Sequence, residues 1–139
     1  MNTSNQNIYF DLNLIYQERF GDVLFLIGTI LAIISTYQAE KFTLEKLFKI
    51  IPSQNNSAYT IAAASWIFFI ASIIFAYVAI ARYDEVKSTD PNVSPVTLKG
   101  GEITAIGNIF KVIGFGLAAV GNQLKANSTT ADGPAIISQ

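Results

Sequence analysis

The chain has 139 residues, of which 51% are hydrophobic and only 14% charged, and its formal net charge is −1. That length accommodates one domain, and that composition, with a positive mean hydropathy, points to a membrane protein rather than a soluble globule. With no basic stripe to displace counterions from phosphates, nucleic acid is excluded as a partner, and the absence of cysteine and histidine removes disulfides, thiolate metal sites and the usual physiological base.

Residues 1–7 read as a polar tail. The next stretch, 8–20, mixes Tyr9, Phe10, Tyr16 and Phe20 with Asp11, Glu18 and Arg19. Aromatic rings beside charges suit a headgroup region, so a short interfacial helix is expected there, running into the first span. Arg19 is the sole basic residue before that span, a poor pattern for a cleaved leader, so the span is expected to persist in the mature chain. The span itself is placed at 20–37. Its small residues Gly21, Gly28 and Ser35 are spaced seven apart, close to two helical turns, and form a column on one side. Leu44, Leu47, Phe48 and Ile51 then recur at helical spacing, with Thr43 as a cap and Pro52 as a stop. This predicts a short helix over 43–51 resting on the membrane surface, followed by a turn over 52–57.

No charge occurs between Lys49 and Arg82, and 58–81 is almost unbroken in apolar and small residues. At 1.5 Å per residue this second span covers roughly 36 Å, enough to cross a hydrocarbon core of about 30 Å. Ala58, Ser65, Ser72 and Ala79 form its seven-spaced column. Beyond Arg82 and Tyr83, the prolines and small polar residues of 84–99 predict an exposed loop. Asp84, Glu85 and Asp90 lack the spacing of a calcium loop, and no metal site is expected there.

The third segment, 103–124, is amphipathic. Gly100 and Gly101 are read as the break before it, Glu102 as its N-terminal anion and Lys125 as its C-terminal cation. At 100° per residue, Thr104, Asn108, Lys111, Ala118, Asn122 and Lys125 share one side, flanked by the column Gly107, Gly114 and Gly121. Lys111 falls near the middle of this segment, where a lysine costs roughly 2.5–3.5 kcal/mol on insertion scales. The acids Asp22, Glu40 and Glu102 stand at segment ends, so no mid-span carboxylate is expected to offset it. Lys111 must therefore snorkel to a headgroup, face water in a pore, or stay out of the hydrocarbon.

The expectation is an all-α integral membrane protein without a catalytic motif: no phosphate loop, dinucleotide fingerprint or nucleophile elbow is present, and no cofactor or enzyme activity is expected. Residues 1–126 form a single helical membrane domain with three hydrophobic helices and short interfacial helices, and 127–139 a disordered polar tail. Ser65 and Ser72 have only Lys111 as a conceivable base, and are expected to back-bond to their own helix or sit in a packing seam. The expected role is a small self-associating bundle, structural or accessory in a membrane assembly, in contact with membrane lipids and with copies or a complex partner. Its packing surfaces are the columns Gly21, Gly28, Ser35; Ser65, Ser72, Ala79; and Gly107, Gly114, Gly121. One alternative is an oligomeric pore, of lysis or ion-conducting type, lined by Thr104, Asn108, Lys111 and Asn122. Another is a two-span hairpin with a lipid-binding third helix in the interface. Three spans are preferred, in a cell or cytoplasmic membrane. Basic residues divide four against four across three spans, so orientation stays open.

Overall fold

In the computed structural model, which describes residues 3–51, 55–89 and 93–131, three helices follow one another in antiparallel sense. They are α1 (Thr3–Leu47), α2 (Ser57–Thr89) and α3 (Pro95–Ala131), and no strand occurs among the described residues. All three are long and apolar enough to cross a membrane. At 1.5 Å per residue they measure about 68, 50 and 55 Å, each well beyond a hydrocarbon core of about 30 Å.

The helices are longer and fewer than the sequence pattern predicts. The interfacial helix over 8–20 and the surface helix over 43–51 do not exist as separate elements. Residues 8–20 continue without a break into the first span, and residues 43–47 form the last turn of α1. No proline interrupts this stretch. Thr43 caps nothing; its hydroxyl donates to the Ala39 carbonyl at 2.8 Å, inside the helix. The true end of α1 is made by Lys49, which adopts a positive φ of 55°. There the Ile50 amide donates to the Glu45 carbonyl at 3.0 Å and the Lys49 amide to Lys46 at 3.2 Å. This pair of bonds is a Schellman cap with a lysine where glycine is favoured. Pro52, the expected stop, lies outside the described residues.

A second correction concerns 84–99, expected as a loop. α2 runs on to Thr89 and α3 begins at Pro95, so most of that stretch is helical. Ser94 caps α3, its Oγ accepting the Thr97 amide at 3.1 Å, with Pro95 at the first helical position. The helix then passes straight through Gly100 and Gly101, the expected break. It also continues past Lys125 to Ala131, which makes part of the expected tail helical; residues 132–139 lie outside the described residues.

α2 is the central helix. Of its most apolar 18-residue window 39% is buried, against 17% in α1 and 11% in α3. On a 100° wheel, Ala64, Ala71 and Val78 fall on the side of α2 that meets α1, and Ala62, Ser65 and Ala76 on the side that meets α3. All six are buried. Backbone packing joins α2 to each neighbour, while α1 and α3 do not pack directly on one another. Their bridge is aromatic: Phe25 of α1 lies 6.0 Å from Phe115 of α3, and both rings meet Phe68 of α2, at 4.7 and 5.5 Å. The three helices thus enclose a cleft between α1 and α3, floored by α2.

Candidate functional site

The seam between α1 and α2 is built on the first small-residue column. Gly21, Gly28 and Ser35 are all buried. A Cβ added at Gly21 would come 2.9 Å from Phe75 Cε1, and one at Gly28 would come 2.9 Å from Phe68 Cε1. Two phenyl rings of α2 therefore fill hollows that only glycine leaves open. Ser35 donates to the Ser57 carbonyl at 2.8 Å, and Thr60 donates to Gln38 Oε1 at 2.9 Å. At the other end Arg82 meets Glu18 at 2.6 Å. These pairings fix the register of α1 against α2.

The second column divides. Ser65 lies in the α2–α3 seam, where Asn122 Nδ2 donates to its Oγ at 2.7 Å while its hydroxyl donates to the Ile61 carbonyl at 2.8 Å. Ser72 donates to the Phe69 carbonyl at 2.7 Å, and Ser72 and Ala79 reach the floor of the α1–α3 cleft.

The third column is placed opposite to expectation for packing within the chain. Around a Cβ built at Gly107, Gly114 or Gly121 there is nothing within 4 Å. The face that α3 does turn to α2 carries Ala105, Ala119 and Ala126, all buried, on a seven-residue period that also includes Val112. Gly101 and Gly116 complete it, facing Tyr83 and Phe69, with Cβ approaches of 3.2 and 3.1 Å. Gly107, Gly114 and Gly121 lie on the far side because a seven-residue period repeats for any face of a helix. Spacing cannot say which neighbour a face meets.

The polar face of α3 also separates into two. Asn122 is engaged by Ser65, and the adjacent Gln123 accepts from Trp66 Nε1 at 3.2 Å, both within the α2–α3 seam. Thr104, Asn108 and Lys111 line the cleft instead. Asn108 donates to the Thr104 carbonyl at 3.0 Å, and Lys111 Nζ donates to Asn108 Oδ1 at 3.4 Å. The four residues considered for a pore wall therefore do not form one free face.

Register changes the reading of Lys111. Tyr83 meets Gly101 and Phe69 meets Gly116, which brings Lys111 to the depth of Phe75. Phe75 in turn sits on Gly21, beside Asp22. Asp22, Phe75 and Lys111 line one cavity. Lys111 is thus level with Phe75 and with the N-terminal end of the first span, and a carboxylate does stand across from it. Neither Asp22 nor Lys111 belongs to an ion pair among the described residues. No group of three or more potential metal-ligating side chains occurs among the described residues. Comparison with family models, with curated proteins and with solved structures finds no match for this chain.

Proposed function

We propose that the chain is a structural or accessory subunit that self-associates in a membrane through the outward face of α3. One observation carries this reading: α3 packs on α2 through its alanine column and leaves Gly107, Gly114 and Gly121 uncovered. A glycine inside a helix is disfavoured by roughly 0.8–1.0 kcal/mol relative to alanine, so three of them on an unpacked face act against the helix that carries them. In lipid, small residues favour association because they let backbones approach closely. Phe110 and Leu117, 69% and 71% exposed, flank the column and supply bulk for a neighbouring helix to meet.

Pore formation is the weaker reading, because Asn122 is already bonded to Ser65 and a polar wall would rest on three residues of one helix. The deciding experiment is the Gly114→Leu variant in detergent, followed by size-exclusion chromatography with light scattering. The expected outcome is a defined wild-type oligomer that dissociates in the variant, with helix content unchanged. A monomeric wild type, or an oligomer indifferent to Gly114→Leu, overturns the reading. Conductance in liposomes that depends on Lys111 would replace it with the pore.

A further inference from the structure

The cleft between α1 and α3 holds two adjoining cavities that share Phe75 and Lys111. The outer one, about 540 Å³, is bordered by Glu18, Arg82, Thr104 and Asn108. The inner one, about 480 Å³, is bordered by Asp22, Phe25, Leu26 and Phe115 and lies toward the aromatic bridge. Each falls within the roughly 300–1,000 Å³ typical of ligand sites. Glu18, Asp22, Arg82 and Lys111 stand in otherwise largely apolar walls, the profile of a site for an amphiphile rather than for a compact polar solute.

Charge bookkeeping narrows the class. The lining carries two carboxylates, Glu18 and Asp22, and two cations, Arg82 and Lys111. Glu18 and Arg82 satisfy each other at 2.6 Å. Asp22 and Lys111 remain, one of each sign, on opposite walls and outside ion-pairing distance. The cleft therefore offers no net charge, but a fixed separation of one plus from one minus. We propose that it binds one membrane phospholipid with a zwitterionic, primary-ammonium headgroup. The phosphate meets Lys111, the ammonium meets Asp22, and an acyl chain lies along Phe25, Phe75 and Phe115. A second copy of the chain, whose α1 would bring its own Asp22 to this depth, is the competing occupant.

The test is native mass spectrometry of the full chain, delipidated in detergent and given equal amounts of phosphatidylethanolamine, phosphatidylcholine and phosphatidylglycerol. One phosphatidylethanolamine per chain should be retained in preference to the other two. Lys111→Gln and Asp22→Asn should each weaken retention about tenfold or more, the loss of one charge-assisted contact. Leu26→Trp, which fills the inner cavity without touching a charge, should weaken all three lipids alike. Circular dichroism of each variant establishes that the helices persist. Equal retention of the three lipids, preference for phosphatidylglycerol, or variants that bind like wild type would overturn the proposal. So would efficient disulfide formation between copies carrying Leu26→Cys, which would put a second chain in the cleft. Gly114→Leu should leave lipid retention intact, so this test and that of self-association fail separately.

Discussion

The glycine columns of α1 and α3 share one spacing and have opposite surroundings. Gly21 and Gly28 receive the rings of Phe75 and Phe68, so closely that a methyl group would collide. Gly107, Gly114 and Gly121 face open space. In α1 the missing side chain is a socket for an aromatic knob, and the resulting seam holds the chain together. At those three positions of α3 the missing side chain serves nothing inside the chain, and the intramolecular seam is made by alanines with Gly101 and Gly116. The difference teaches that small residues in an apolar helix have two separable uses, and that substitution distinguishes them more sharply than sequence does.

The largest effect is expected from Gly28→Leu, which forces the Phe68 ring out of its hollow. Overpacking of this kind costs roughly 1–3 kcal/mol, so thermal unfolding in detergent should shift clearly downward. A wild-type melting curve would dissolve the contrast by showing the α1 hollow to be as open as the α3 face. Next comes the α2–α3 seam, where Asn122→Ala removes the bond to Ser65. Polar bonds between membrane helices average about 0.6 kcal/mol and reach about 1.7, and a double-mutant cycle with Ser65→Ala should return a coupling in that range. No coupling would mean that alanine packing alone holds α3. Lys49→Gly tests a cap remote from both columns, and relief of its positive φ should stabilise α1 by roughly 0.5–1 kcal/mol in the same melting assay. No loss in thermal unfolding of the dissociated chain is expected from Gly114→Leu, since the helix sheds a glycine and nothing is displaced. A large loss there would place that glycine in an intramolecular seam after all.

The number, order and approximate centres of the three hydrophobic helices are legible in the residues, because long uncharged runs admit few alternatives. Helix ends are less so. Ser94-Pro95 is a sound start signal for α3, but the Gly100-Gly101 pair five residues later competes with it and reads as a break. Thr43 has the chemistry of a cap, yet its hydroxyl finds a carbonyl one turn back just as readily. The seam residues Gly21, Gly28, Ser35 and Ser65 carry a visible period, whereas the alanine column of α3 is camouflaged among ordinary apolar residues. Lys111 is the sharpest case. Counting along α3 puts it in mid-helix, and only the register of α3 on α2, and of α2 on α1, brings it level with Asp22. That relation joins residues 89 positions apart, and no local pattern encodes it.

Leu14 gives the bundle a further meaning. Among the described residues it is the large apolar side chain that is fully buried, at 1% exposure, while Ala64, Ala71 and Ser72 are the closest packed groups deeper in. It lies on the N-terminal side of the Glu18–Arg82 pair, where all three helices continue past the charged level. A bulky aliphatic core rewards burial in water, and close backbone approach through small side chains rewards packing in lipid. Leu14, beside the Glu18–Arg82 pair, is thus seated by the kind of packing that water rewards, whereas the alanine and serine contacts deeper in α2 follow the pattern that lipid rewards.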